Sequence, residues 1–318
     1  MDVFIAMQLQ LPIAEYKFLF QAIDPVSIPA FADPLWRSVF GLALRQLSCI
    51  ADKQSCDDCI LRHQCDYSFL TTGPNSPPEK IGITKYMKNI PNPHIFHCRV
   101  RDYSTRVPEG STFSASIILI GNANDRLPAV IRAMVQAGML GLGGNRSKFR
   151  LQEVIQAGPA SPERLIMSNQ EIVADGIPVP PIIPASPEFI RFTFQTPYLL
   201  PTNTKIEDGF NATKLIMQII RRASSLHEPY TGAAIEADFQ DLRTLADTPA
   251  IIDSDLNVEP QYSYFGNKKR FTAVRGSFIM DLQEQKDLWP WIYLGQWLNA
   301  GKQASKGFGR YTITAVDS

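Results

Sequence analysis

The segment GKQASKGFGRY, Gly301 to Tyr311, holds three glycines, three cations and no acidic residue. Glycine lets a backbone approach a bulky ligand and turn its N–H groups toward it, while Lys302, Lys306 and Arg310 add positive charge. The ligand such a turn suits is an anion, phosphate first, with Gly301, Ser305, Gly307 and Gly309 beside the lysines. A helix-to-strand connector that uses Gly301 as a C-cap accounts for the same residues. A second loop of similar make-up, MLGLGGNRSKF, contributes Arg146 and Lys148, with Arg150 just beyond, and GNKKRF contributes Lys268, Lys269 and Arg270. Each cluster reads as a set of phosphate contacts or as a solvated charged face.

Two other residue types bear on chemistry. Four of the five cysteines, Cys49, Cys56, Cys59 and Cys65, lie in one short segment. Cys56 and Cys59, with two residues between them, can grip one metal from a tight turn, and Cys49 and Cys65 can close the site without a long loop. The pattern predicts a structural metal, zinc ahead of an iron–sulfur cluster because nothing else supports a redox role. Reduced buried thiols are the alternative, and Cys98 stands apart as a core thiol. Of the four histidines, His63 lies among the cysteines as a spare ligand or hydrogen-bonder, and His94 and His97, in the proline-bounded PNPHIFHCRV, read as structural. His227 follows KLIMQIIRRASSL, whose Leu215, Ile216, Ile219 and Ile220 form a core stripe ahead of Arg221 and Arg222. It reads as a catalytic acid–base group or as part of a solvated helix terminus.

The elements that must position these groups follow from patterning. A chain of 318 residues with 45% hydrophobic content suits two domains. Its net charge of zero leaves no global field to attract polyanions, so nucleic acid would have to be met by local clusters. The amino terminus has no basic start, and the apolar run SASIILIG is too short to span a bilayer, so a cytoplasmic location and no membrane partner are expected. Seven prolines between Gly158 and Glu188 exclude a continuous helix or a central strand there. This places domains at 1–157 and 188–318 with a proline-rich connector at 158–187. TFSASIILIG, RLPAVIRAMVQAG, the first glycine loop and FRLQEVIQA read as strand, helix, loop and strand. FTAVRGSFIMDL, LWPWIYLGQWLNAG, the last glycine loop and YTITAV repeat that order, and FIRFTFQ and ATKLIMQIIRRASSL add a strand and a helix. The expected fold is α+β, two tandem ferredoxin-like domains with a cysteine-rich metal knuckle inserted in the first at 49–65.

LGQWLNAGKQASKGFGRYTI resembles the carboxy-terminal glycine-rich signature of the CRISPR repeat-processing endoribonucleases of the RAMP superfamily. LWRSVFGLALRQL with CIADKQSCDDCILRHQCDY is similar to the amino-terminal helix and cysteine cluster of one branch, and GLGGNRSKFRL resembles its first-domain glycine loop. The resemblance implies two RRM/RAMP-type ferredoxin-like domains that bind the repeat stem-loop of precursor crRNA. It implies cleavage at the stem-loop base by 2′-hydroxyl attack, with no catalytic cofactor, and retention of the product with other CRISPR effector subunits. Lys302 would stabilise the phosphorane and Ser305 would help hold the scissile phosphate. Where that branch commonly reads Trp-Leu-His-x-Gly-Lys, this chain reads WLNAGK, with Asn299. An amide can position RNA but cannot carry a proton near neutral pH, so cleavage is expected to be slow or to be carried by another group, His227 first. A non-catalytic crRNA-binding subunit and a metal-stapled protein-interaction module are the alternatives.

Overall fold

The computed structural model describes residues 9–50, 55–73, 90–99, 104–158, 163–200, 210–262 and 271–316. They group into two compact units, one built from 11–181 with 228–233 and the other from 182–227 and 234–316 with 9–10.

In the first unit, β1 (Ile13–Ala22) alternates by side-chain face. Ala14, Tyr16, Phe18, Phe20 and Ala22 enter the core, and Lys17 and Gln21 point the other way. After the short β2 (Val26–Ile28) comes α1 (Asp33–Ser48), which starts with Pro34 in its first turn and buries Trp36, Phe40, Ala43 and Leu44 at helical spacing. Next are α2 (Asp66–Thr72), β3 (His94–Phe96), β4 (Thr105–Val107), β5 (Thr112–Ile120), α3 (Leu127–Leu140) and β6 (Phe149–Ala157). β2 pairs with β4 apart from the main sheet. The main sheet runs β3-β5-β1-β6, all antiparallel, which is the ferredoxin-like strand order. Phe20 sits at the centre of the core, with ring centroids 5.1 Å from Trp36 and 5.0 Å from Phe149. Truncating it to alanine would cost roughly 3–5 kcal/mol.

The sheet then continues past its expected limit. β7 (Arg164–Ser168) and β8 (Glu171–Ile172) form a hairpin that adds to β6, within the stretch expected to be a connector. The seven prolines fall at its two ends and leave 163–177 free of proline. Asn169 and Gln170, with φ of 50° and 68°, make the two-residue turn whose positive angles match strand twist. The limits 1–157, 158–187 and 188–318 are therefore redrawn, with the first unit reaching residue 181.

The second unit contains β9 (Phe189–Leu199), α4 (Ala212–Thr231), α5 (Phe239–Ala246), β10 (Ile251–Tyr262), β11 (Phe271–Asp281), α6 (Trp289–Leu298) and β12 (Tyr311–Ala315). Its sheet order, β10-β11-β9-β12, is the same ferredoxin-like order again. Phe192 stacks between Tyr311, at 4.0 Å, and Phe278, at 5.0 Å. Tyr311 Oη donates to the Ile292 carbonyl of α6 at 2.8 Å, and Gly295 leaves the room, since a Cβ there would lie 2.1 Å from that oxygen. Among the described residues no helix is long and apolar enough to cross a membrane.

Candidate nucleic-acid interface

The final glycine loop joins α6 to β12 and is tied to β9 along its second half. Gly309 N–H donates to the Pro197 carbonyl at 2.9 Å, Ala300 N–H to the Gly309 carbonyl at 2.9 Å, and Thr196 Oγ1 to the Gly307 carbonyl at 2.7 Å. Gly301, Gly307 and Gly309 have φ of 80°, 88° and 68°, the left-handed region that favours glycine. A Cβ on Gly309 would stand 1.9 Å from the Ala300 carbonyl oxygen, and one on Gly301 would stand 2.6 Å from the Tyr198 ring. The loop is thus a built turn and more than a connector. Its tip is half-buried at Gly301, Lys302, Gln303, Ser305 and Lys306. Among the described residues, no protein acceptor takes the N–H groups of Gly301, Gln303 or Ser305, which suits them to an anion.

Three expected site residues have another job. Asn299, expected in a catalytic role, is 2% exposed and its Nδ2 donates to the Ala304 carbonyl at 3.2 Å, so its amide fastens the loop from inside. Arg310, expected on RNA, is 6% exposed, and its backbone is held by Thr196 Oγ1 and Gln195 N–H. His227, expected to be a catalytic group or part of a solvated terminus, is 2% exposed and continues the buried stripe of α4 with Ile220, Ala223 and Tyr230, so the terminus is not a solvated one. Arg222, on the same helix, donates from Nε to the Leu298 carbonyl at the end of α6.

The first glycine loop follows α3. Gly141 and Gly143 have positive φ, and Leu142 and Ser147 bridge its base. Lys148, expected on RNA, turns its Nζ back onto the Met139 and Leu140 carbonyls and caps α3. Arg146 and Arg150 are exposed. Lys268, Lys269 and Arg270 lie outside the described residues.

Cys49, Cys56, Cys59 and Cys65 line one small cavity of about 30 Å³ in the first unit. Burial and then the neighbouring Cys65, Cys49 and Cys59 push the Cys56 thiol up, with Arg45 opposing. The sulfurs are close enough to feel one another. Even so, among the described residues no group of three or more His, Cys, Asp or Glu side chains is placed to hold an ion. Zinc–sulfur bonds of about 2.3 Å would need the four thiols to draw together.

His94 is 1% exposed against Phe40 and Phe96, and burial holds its imidazole down at about 3, with Arg37 adding to the effect and the Leu70 backbone opposing it. His97, also expected to be structural, has a partner that sequence reasoning missed. Its Nδ1 lies 3.2 Å from Glu15 Oε2, and both side chains are partly open to solvent. The pair arises because β1 and β3 flank β5, so that the β1–β5 and β3–β5 registers together bring Glu15 and His97 near one another, and no local motif announces it.

Residues 192–311, which contain the final loop, match the family model described as CRISPR-associated endoribonuclease Cas6. Residues 11–177 match the model AF_1859_N, an N-terminal domain. The structure is similar to the product complex of Thermus thermophilus Cas6 (TTHB231), 13% identical with a TM-score of 0.52, over 95% of this chain and 99% of that one. It is also similar to a chain of a partial Cas6-RT-Cas1–Cas2 complex, 12% identical with a TM-score of 0.52, over 96% of this chain and 46% of that longer one. At such identities the likeness is one of fold. Among curated proteins none matches the sequence.

Proposed function

The chain belongs to the CRISPR-associated RAMP proteins of the Cas6 endoribonuclease type, and from that premise we propose that it binds the repeat stem-loop of precursor crRNA and cleaves it without a metal ion. The observation that carries this reading is the final loop, where the N–H groups of Gly301, Gln303 and Ser305, with no acceptor among the described residues, stand beside Lys302 and Lys306 inside the matched region. In the reaction the 2′-oxygen bonds to the adjacent phosphorus, the bond from phosphorus to the 5′-oxygen breaks, one proton leaves the 2′-hydroxyl and one reaches the 5′-oxygen. The products are a 2′,3′-cyclic phosphate and a 5′-hydroxyl. The loop's part is to hold the scissile phosphate on backbone N–H groups and Ser305 and to offset the phosphorane's charge with Lys302. Asn299 and His227, both buried, move no proton there. Cleavage is accordingly slow and only shallowly dependent on pH.

Those two buried residues favour a second reading, a crRNA-binding subunit that holds the repeat within a CRISPR effector without cutting it. Purified protein incubated with its cognate repeat RNA and EDTA separates the readings. Cutting to a cyclic phosphate supports the first, tight binding without cutting supports the second, and neither binding nor cutting refutes both.

The four-cysteine cavity suits a structural zinc ion, since thiolates are the soft donors that ion takes and all four cysteines line the one cavity. In that reading Cys49, Cys56, Cys59 and Cys65 tie the end of α1 to the start of α2, and the ion takes no part in cleavage. The product-bound protein works in the cytoplasm beside other CRISPR subunits.

A further inference from the structure

The first unit carries a groove whose apolar lining has no part in the cleavage reading. α3 packs over β6, and the β7–β8 hairpin extends the sheet past it, leaving a cleft of about 730 Å³ between helix and hairpin. Between its polar residues the lining exposes aliphatic side chains, with Val135 44% and Met139 66% exposed on α3, Ile172 51% exposed on β8 and Leu47 48% exposed at the end of α1. An amphipathic helix that only served its own core would turn polar residues outward at those α3 positions. Single exposed apolar residues mean little, but several around one cleft mark a surface meant to be covered.

Charge and shape narrow the occupant. Arg132 and Arg150 stand in the cleft, and among the described residues no aspartate or glutamate lines it. Glu171 is absent from the lining although Gln170 and Ile172, on either side of it, are present, as strand alternation requires. The nearby Asp24 carboxylate accepts from Lys148 N–H at 2.8 Å. Nucleic acid would find no stacking platform, because the lining's aromatic ring, Phe149, is 2% exposed. An added strand would find an edge of two residues, since β8 ends the sheet. We propose that this groove docks an amphipathic helix of a partner protein, one that presents aliphatic side chains at i, i+3/i+4 and i+7 flanked by aspartate or glutamate. The aliphatic residues fill the cleft, and the flanking acids meet Arg132 and Arg150. This inference is independent of the RNA-cleavage reading.

The test uses the full chain and a labelled helical peptide of about 18 residues with leucine at those spacings and glutamate beside them, followed by fluorescence anisotropy. Two control peptides carry lysine for every glutamate, or serine for every leucine. The glutamate peptide is expected to bind, the controls are not, and Val135→Glu or Met139→Glu should weaken binding by about tenfold or more. Arg132→Glu should weaken the glutamate peptide and strengthen the lysine peptide. All three substitutions lie on an exposed helix face, circular dichroism checks the fold, and affinity for repeat RNA measured in parallel should not change. The proposal fails if the glutamate peptide does not bind, if it binds all variants alike, or if the lysine peptide binds wild type equally well. It also fails if Val135→Glu abolishes self-association while no peptide binds, which would assign the groove to a second copy of the chain, or if the variants lose RNA affinity alone.

Discussion

Replacing Asn299 by histidine decides whether that position supplies chemistry or architecture. By resemblance, histidine would restore an acid–base group and speed cleavage. Three features of the site oppose this. Asn299 follows α6 with φ 60° and ψ 165°, a region close to glycine-only whose occupation costs on the order of 1–3 kcal/mol. Histidine inherits that strain. It also gives up the amide that donates to the Ala304 carbonyl at 3.2 Å, and a buried acceptor left unpaired costs about 1–3 kcal/mol. The larger ring must then fit a position 2% exposed. The expected loss, about 1–3 kcal/mol of loop stability, is roughly a five- to 150-fold shift from closed to open loop. The readouts are exchange of the Gly307 and Gly309 amides, which donate to Ala304 and Pro197, together with repeat-RNA affinity and single-turnover cleavage across pH. We expect faster exchange, weaker binding and no new titrating group, and Asn299→Gly should be milder because it relieves the backbone. Faster cleavage in Asn299→His, with a new group near histidine's ordinary value of about 6.5, would refute this account.

Three further outcomes are expected. Changing Lys302 and Lys306 together to alanine should weaken repeat-RNA binding and lower the slope of log affinity against log salt by about 0.7–0.9 for each phosphate the loop no longer neutralises; an unchanged slope would return the loop to a connector. Untagged protein should contain about one zinc per chain by elemental analysis, and Cys56→Ser with Cys59→Ser should abolish it and destabilise the first unit; metal-free native protein would rule the ion out. His94 is held at about 3 in the fold against about 6.5 unfolded, so the unfolded chain binds the extra proton first and stability falls as pH drops from about 6.5 toward 3, by about 1.4 kcal/mol per pH unit. Urea midpoints for wild type and His94→Phe should diverge over that window, and parallel curves would show that the imidazole is not buried neutral.

Strand and helix patterning in the sequence carried the two ferredoxin-like repeats, because each element buries one face and period 2 or 3.6 is written into its residues. The β7–β8 hairpin was hidden by averaging over prolines that in fact flank a proline-free window, although Asn169 marked its turn. His227 falls seven residues after Ile220, on the same helical face, so its burial was readable from the stripe already traced toward it. The His97–Glu15 pair was not readable, since it depends on the registers that β1 and β3 each take against β5. Asn299 misled because residue identity alone does not distinguish a lost catalyst from a buried fastener. Only its φ angle and the bond to Ala304 do so.

The Arg222 contact with the Leu298 carbonyl bears on how the loop meets an anion. The carbonyls that end a helix carry the negative pole of its macrodipole, worth roughly half an electron charge, and α6 ends just before the glycine turn. A phosphate reaching Gly301 and Lys302 would be repelled by that pole. The Arg222 guanidinium lies on it and cancels much of the repulsion, as Lys148 does at the end of α3 before the first glycine loop. Each loop is therefore made hospitable to anions from behind, by a cation that touches the helix end and has no need to touch RNA.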